Sequence, residues 1–169
     1  MVCLSLISTS YNARPSLERL TLSFSMVRSI QTEIKRVIFA RMEPGEDVLG
    51  AIEEVAKTHK VKSGQLSLIG AVSKAHLGYF HREALEYRDF KVDEDVEVVS
   101  CIGDISMHDG NLVVHAHMIV ADENGKCWGG HLLSGCEVSV TIELVIIETD
   151  VELIRKRDDL TGLNLLHIS

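Results

Sequence analysis

The sequence predicts an α+β fold, in which a mixed or antiparallel β-sheet carries one main amphipathic helix and forms a compact single domain. Strand-like runs follow one another along most of the chain, whereas a single early stretch has helical spacing of its apolar residues. Asp109-Gly110 and Asn124-Gly125 mark hairpins between the later strands. Strands in direct succession with one helix do not form alternating βαβ units. The 169 residues, of which 46% are hydrophobic, suffice for one packed core.

Residues 1–25 are rich in hydroxyl side chains and have no periodic apolar face. We therefore expect this segment to lie outside the fold, either as a disordered leader or as the result of a start codon assigned too far upstream. The domain is expected to span residues 26–169.

The first strand is predicted at 34–42, where apolar residues cluster, and Glu43-Pro44-Gly45 ends it. An amphipathic helix is predicted from residue 46 to about residue 60. Its apolar side chains recur at three- and four-residue spacing, and charged residues lie between them. These apolar residues are Val48, Leu49, Ile52, Val55 and Ala56.

Further strands are predicted at about 64–72, 74–81, 96–106, 111–120 and 137–149. In the last of these, one face carries Val138, Val140, Ile142, Leu144 and Ile146. The opposite face is also partly apolar, because it carries Val145 and Ile147. Either the C-terminal segment or a neighbouring subunit should cover this second face, and we favour the subunit.

Three of the eight histidines lie close together in the sequence, at His115, His117 and His131. Residues two apart on a strand point to the same face, so His115 and His117 should lie side by side. His131 joins them only if residues 123–125 form a three-residue loop with Gly125 in the left-handed conformation, because position 117 then lies opposite position 131. A two-residue Asn-Gly turn would send His131 to the other face.

Three neutral imidazoles can bind a divalent ion and leave one coordination position for water or a ligand. Zn²⁺ is the expected ion, although another divalent metal would also suit these donors. The predicted metal ligands are therefore His115, His117 and His131. Cys127 and Cys136 lie near them in the sequence and are weaker candidates as soft ligands.

The overall charge argues against direct binding to nucleic acid. Seventeen Lys and Arg residues against 25 Asp and Glu residues give a net charge of −8, the wrong sign for neutralising phosphates. The basic cluster at 155–157 precedes two aspartates and is interpreted as a solvated face. The cysteines have no Cys-x-x-Cys spacing, and no apolar run is long enough to span a membrane, so we expect a soluble, cytoplasmic protein.

Several short motifs resemble the plant and prokaryote conserved (PPC) domain. The match covers roughly residues 26–169, and the Gly-Gly-His-Leu element placed after His-x-His is its most specific part. The motifs are Glu43-Pro44-Gly45-Glu46-Asp47, Gly70-Ala71-Val72, Leu77-Gly78-Tyr79-Phe80, His115-Ala116-His117, Gly129-Gly130-His131-Leu132-Leu133 with Gly135-Cys136, and Asp159-Leu160-Thr161-Gly162-Leu163.

The resemblance implies a compact α+β domain that forms homotrimers, with a metal, commonly zinc, bound by histidines at the matching positions in prokaryotic members. The resemblance also implies a DNA-binding role, which is usually assigned to family members by analogy with plant members whose AT-hooks contact the minor groove. This chain offers only Ala13-Arg14-Pro15 in place of the Arg-Gly-Arg-Pro core of an AT-hook.

The main hypothesis for the function is a non-catalytic, oligomeric, metal-binding domain with a regulatory or ligand-binding role. The alternative is a metal-dependent enzyme that acts on a small molecule, with a carboxylate such as Glu137 as base. The sequence identifies no catalytic residue, and direct DNA binding without a partner is the least supported hypothesis.

Overall fold

The computed structural model describes residues 27–168. The predicted leader and the AT-hook-like tripeptide lie outside these residues. Within them the chain forms one helix and a sheet of nine strands, which agrees with the predicted α+β class. The elements in order are β1 (Ile34–Met42), α1 (Val48–Thr58), β2 (Gly64–His81), β3 (Glu86–Val92), β4 (Val96–His108), β5 (Asn111–Ala121), β6 (Cys127–Leu132), β7 (Glu137–Thr149), β8 (Ile154–Arg157) and β9 (Asn164–His167).

Strand β2 organises the sheet because it is 18 residues long and changes neighbours partway along. Its first part pairs with β4 and β7, and its second part pairs with β3 and β6. Strands β4, β5 and β6 are consecutive neighbours, so together with β2 they form a closed ring. The prediction of two separate strands at 64–72 and 74–81 was therefore wrong.

Helix α1 begins where Asp47 caps it, with the Asp47 Oδ2 atom accepting a hydrogen bond of 2.9 Å from the Gly50 backbone N–H. The Asp47 Oδ1 atom also accepts a bond of 2.6 Å from the Gly135 backbone N–H, which ties the start of the helix to the loop after β6. The helix buries Val48, Ile52 and Ala56 and packs against β5 and β7. The apolar face predicted for this helix is thus the face that meets the sheet.

One predicted core position in β7 was wrong. Val138 and Ile142 are buried, but Val140 between them is 68% exposed. The register with β2 shifts here, because Gly70 pairs with Ile142 while Val72 pairs with Val138. The two extra residues on β7 form an irregularity of the β-bulge type, which leaves them unpaired and can turn a side chain away from the core.

Gly103 in β4 lies where two strands approach closely. A Cβ atom at this position would overlap the carbonyl oxygen of His115 and would lie 2.6 Å from the Cα of Ala116. We expect Gly103→Ala to lower the free energy of unfolding by about 1–3 kcal/mol, since the backbone must move to admit the methyl group. Urea unfolding would measure this. Gly129→Ala, whose nearest contact is the flexible Ile119 side chain at 3.3 Å, is the matched control and should cost less. Equal losses would contradict the explanation.

Candidate metal centre

The hairpin between β5 and β6 has the register that the three-residue loop predicts. Gly125 has a φ of 78°, and its N–H donates to the Asp122 carbonyl oxygen at 3.0 Å. Asp122 Oδ1 accepts further bonds of 2.9 Å from the N–H groups of Asn124 and Lys126, which hold the turn closed. This turn fixes the pairing of His117 with His131 on the neighbouring strand.

The three histidines lie together on the outer face of the sheet. Each offers a ring nitrogen, and these atoms all lie within 4.8 Å of one another. The ring centroids are 5.2 Å apart for His115 and His131, 5.4 Å for His115 and His117, and 5.4 Å for His117 and His131. The strand spacing and one hairpin register thus bring all three predicted residues to one place.

The surroundings favour neutral imidazoles, which is the form that binds metals. Burial, together with the nearby His115, His117 and Arg155, lowers the pKa of His131 to about 4. Partial burial and the neighbouring His115 also lower the pKa of His117. Both rings are therefore uncharged near neutral pH and do not repel a cation.

One ring nitrogen in this cluster has no partner. The Nδ1 atom of His131 is buried and is the one such side-chain atom without a hydrogen bond among the described residues. An unsatisfied buried polar group costs about 1–3 kcal/mol, so a structure rarely retains one without a reason. A metal ion is one group that would satisfy such a nitrogen, and the three-imidazole donor set suits a borderline divalent ion. The residues present therefore fit a metal.

Asp104 is the carboxylate that contacts the cluster. Its Oδ2 atom lies 3.5 Å from Nδ1 of His115. Metal-binding histidines commonly turn their second nitrogen towards a carboxylate in this way. Burial raises the pKa of Asp104, but hydrogen bonds with His115, Arg155 and Ser106 together outweigh it, and the net pKa is lowered. Asp104 is therefore ionised near neutral pH and lies next to His115, on the side of its Nδ1 atom.

Sequence reasoning missed Asp104, although a signal for it was present. The hairpin of β4 and β5 closes through Asp109 and Gly110, and both residues have positive φ values, 48° and 78°. A two-residue turn at this point places Asp104 opposite His115. The same register counting that joined His117 with His131 would have located the carboxylate.

The interpretation of residues 155–157 as a solvated face was wrong for its first member. Arg155 is 7% exposed, and its Nη2 atom donates to both carboxylate oxygens of Asp104, at 2.9 and 2.7 Å. Its Nε atom donates to Ser106 Oγ at 2.8 Å, and its Nη1 atom donates to the Asn164 carbonyl oxygen at 2.9 Å. The sequence pattern could not predict the burial of Arg155, because that burial depends on an ion pair with Asp104 on β4, which is distant in the sequence.

The other candidates from the sequence lie elsewhere. Glu137 forms an ion pair with Lys74 at 3.2 Å and lines a different cavity, beside Asp47, so its predicted place near the metal was wrong. Cys136 is buried, and its thiol contacts the backbone of His76. Cys127 is exposed beside Gly125. Neither cysteine belongs to the histidine cluster, so the proposal of a soft ligand was wrong as well.

Comparison with known proteins supplies a family and several solved structures. The model of the Plants and Prokaryotes Conserved (PCC) domain matches residues 29–150. A metal-containing protein from Archaeoglobus fulgidus is 30% identical, with a TM-score of 0.77, and the match covers 83% of this chain and 99% of that one. A plant- and prokaryote-conserved (PPC) protein from Pyrococcus horikoshii is also 30% identical, with a TM-score of 0.76 and coverage of 84% and 97%.

Two further matches are a solved structure of lower sequence identity and a much longer curated relative. A protein described as a candidate DNA-binding protein from Bacteroides thetaiotaomicron has a TM-score of 0.75 at 22% identity, and the match covers 81% of this chain and 97% of that one. The bifunctional protein GlmU of Synechococcus sp. (strain JA-3-3Ab) is 35% identical over 135 residues, which are 79% of this chain and 20% of the relative. This chain thus spans about a fifth of the length of the curated relatives it matches. Within residues 27–168, no helix combines the length and the apolar character needed to cross a membrane.

Proposed function

Because this chain belongs to the Plants and Prokaryotes Conserved domain family, we propose that it is a homotrimeric binding domain with a regulatory role, in which three histidines hold a divalent metal ion. The observation that carries the proposal is the convergence of ring nitrogens from His115, His117 and His131 within 4.8 Å. Zinc is the proposed ion, since three neutral imidazoles are a common zinc donor set. When bound, such an ion offers one open coordination position to a ligand.

Two further observations support a metal at this site. The buried Nδ1 atom of His131 has no hydrogen-bond partner among residues 27–168, and the Asp104 carboxylate lies 3.5 Å from Nδ1 of His115. The similar protein from Archaeoglobus fulgidus is described as metal-containing. Among the described cysteines, Cys101, Cys127 and Cys136 are free, in keeping with the cytoplasmic location that we propose.

Elemental analysis of the purified, untagged protein tests this function. We expect about one zinc per chain, removable by a chelator and restored by added zinc, because the three donors lie within one chain. A protein that contains no metal as purified and fails to bind added zinc would refute the proposal. Another divalent metal at the same stoichiometry would correct the identity of the ion and leave the site in place.

A binding role has more support than catalysis. The alternative of a metal-dependent enzyme required a nearby carboxylate base, and Glu137 lies at a different cavity. Asp104 is engaged by Arg155 through both carboxylate oxygens, so it is a poor candidate for accepting a proton. The match with one part of the larger GlmU proteins also suits a domain that serves other activities by binding.

The proposed homotrimer has a candidate interface on the outer face of the sheet. Phe39, Ile69, Ile102 and Val145 line one groove there. Phe39 is 79% exposed, and Ile69 and Ile102 are each 56% exposed. Contiguous exposed apolar surface of this kind marks protein interfaces. The C-terminal strands β8 and β9 pair beside β4, which supports a neighbouring subunit as the cover for this face.

We expect the wild-type protein to have the mass of a trimer in light scattering, and Phe39→Glu to shift it towards the monomer. A carboxylate on this exposed apolar groove must be desolvated on assembly, which opposes association. Leu160→Glu is the matched control, since Leu160 is 84% exposed in the turn before β9. Circular dichroism should show an unchanged fold in both variants. A monomeric wild-type protein would contradict the assembly.

We also propose that the protein alone does not bind duplex DNA at physiological salt. Backbone binding requires several cations that neutralise phosphates, and burial of Arg155 leaves only Lys156 and Arg157 of the basic cluster exposed. Gel retardation of A·T-rich DNA at about 0.15 M salt should show no complex with a Kd below about 10⁻⁴ M. Salt-sensitive retardation that is lost on replacing Lys156 and Arg157 by glutamine would reverse this conclusion.

A further inference from the structure

We infer that the cavity beside the three histidines binds a small carboxylate with a flat apolar body, and this inference rests on the proposed metal function. The cavity measures about 680 Å³, and His117 and His131 form part of its wall. Pockets for small molecules typically measure about 300–1,000 Å³ and combine apolar walls with a few placed polar groups. The cavity therefore has the size of a small-ligand site and ends at the candidate metal ligands.

A line of aromatic rings leads through this cavity to the histidines. The centroids of Phe80 and Tyr87 are 5.3 Å apart, with the rings tilted by 58°. Tyr87 and His131 are also 5.3 Å apart, tilted by 41°. These separations lie in the range at which aromatic rings attract one another. A flat ring of a ligand could continue the same packing, and Ile119, which lies outside the groove proposed for assembly, provides an apolar surface on another wall.

Gly129 keeps the cavity open next to the histidines. Gly129 and Gly130 both line it. A Cβ atom on Gly130 would lie 2.7 Å from the Gly78 carbonyl oxygen, so packing excludes a side chain there. Gly129 pairs with Ile119 and is two residues from His131, so a side chain at 129 would project on the same face as that ring. The lack of a side chain at position 129 leaves room for a ligand beside His131, whereas Gly130 allows the backbone to approach Gly78 on the opposite face.

The charges around the cavity select the head group of the ligand. Within residues 27–168, no Asp, Glu, Lys or Arg side chain lines it. Behind His115, the charges of Asp104 and Arg155 cancel each other. A bound divalent ion would therefore leave its charge uncompensated. A carboxylate supplies both the opposite charge and an oxygen that zinc accepts as a ligand.

The test uses the full-length protein loaded with zinc, with phenylacetate as the probe. Calorimetry and backbone amide shifts of Gly129 and Gly130 report binding. We expect phenylacetate to bind about tenfold or more tightly than 2-phenylethanol, which lacks the charge, and than acetate, which lacks the ring. Removal of zinc by a chelator should weaken phenylacetate binding by a similar factor.

Gly129→Leu should fill the cavity and weaken phenylacetate binding about tenfold or more while the protein still binds zinc. Cys127→Leu adds the same side chain to the same face of β6 but outside the cavity, so it should leave binding unchanged. Zinc binding without a preference for phenylacetate, or with unchanged affinity in Gly129→Leu, overturns this inference alone. A protein that binds no metal overturns the proposed function and this inference together.

Discussion

Replacing His131 with alanine is expected to lower the affinity for zinc by more than about a hundredfold. Replacing a residue that hydrogen-bonds to a metal ligand typically lowers metal affinity about 10–100-fold. Loss of one of the three direct ligands should lower the affinity further. Competition with a chromophoric chelator would measure the change. His59→Ala is a suitable control, because His59 is an exposed histidine at the end of α1, outside the cluster.

The same substitution should not destabilise the metal-free protein. The buried Nδ1 atom of His131 has no hydrogen-bond partner in the described part of the chain, so removing the ring also removes an unsatisfied polar group. In contrast, zinc at about 100 times its Kd should stabilise the wild-type protein by about 2.7 kcal/mol, and the variant should lose this gain. If the variant bound zinc with wild-type affinity, His131 could not be a ligand. If it unfolded without metal, the ring would be a structural residue.

The parts of the fold that were predictable from the sequence have local causes. The strand Ile34–Met42 and helix α1 follow from apolar periodicity, and the hairpins at Asp109-Gly110 and Asn124-Gly125 follow from residues that adopt positive φ. The strands that escaped prediction lack a local pattern of alternating apolar and polar residues. β3 is mostly exposed and is held by pairing with the second part of β2. β8 and β9 are only four residues each, too short for a periodic pattern.

The residues of the candidate site also fall into those that local sequence predicts and those that it does not. His115, His117 and His131 were predictable because strand alternation and one turn determine their positions. Asp104 was within reach through the second hairpin, but a single carboxylate in an apolar run does not stand out. Arg155 could not be found, because its burial depends on contacts with Asp104 and Ser106 that lie about fifty residues earlier in the sequence.

Replacing Arg155 with methionine is expected to lower the free energy of unfolding of the metal-free protein by about 3 kcal/mol. Removing one partner of a buried ion pair typically costs about 3–5 kcal/mol because it leaves a buried charge. The lower end applies here, since the side chain of Asp104 remains 25% exposed. Urea unfolding would measure the loss. Lys156→Met, at the exposed neighbouring position, should change stability by less than about 0.5 kcal/mol.

The loss should also depend on pH and on Asp104. Arg155 helps to hold the pKa of Asp104 below its ordinary value of 3.8, so the stability that this pair contributes is present above that pH and is lost as the pH falls through the lower pKa of the folded state. The difference between Arg155→Met and the wild type should therefore shrink in acid. Asp104→Asn combined with Arg155→Met should recover part of the loss, because the double variant buries no uncompensated charge. A deficit that stays constant in acid and in the double variant would show that Arg155 acts by packing alone and does not hold the carboxylate behind His115.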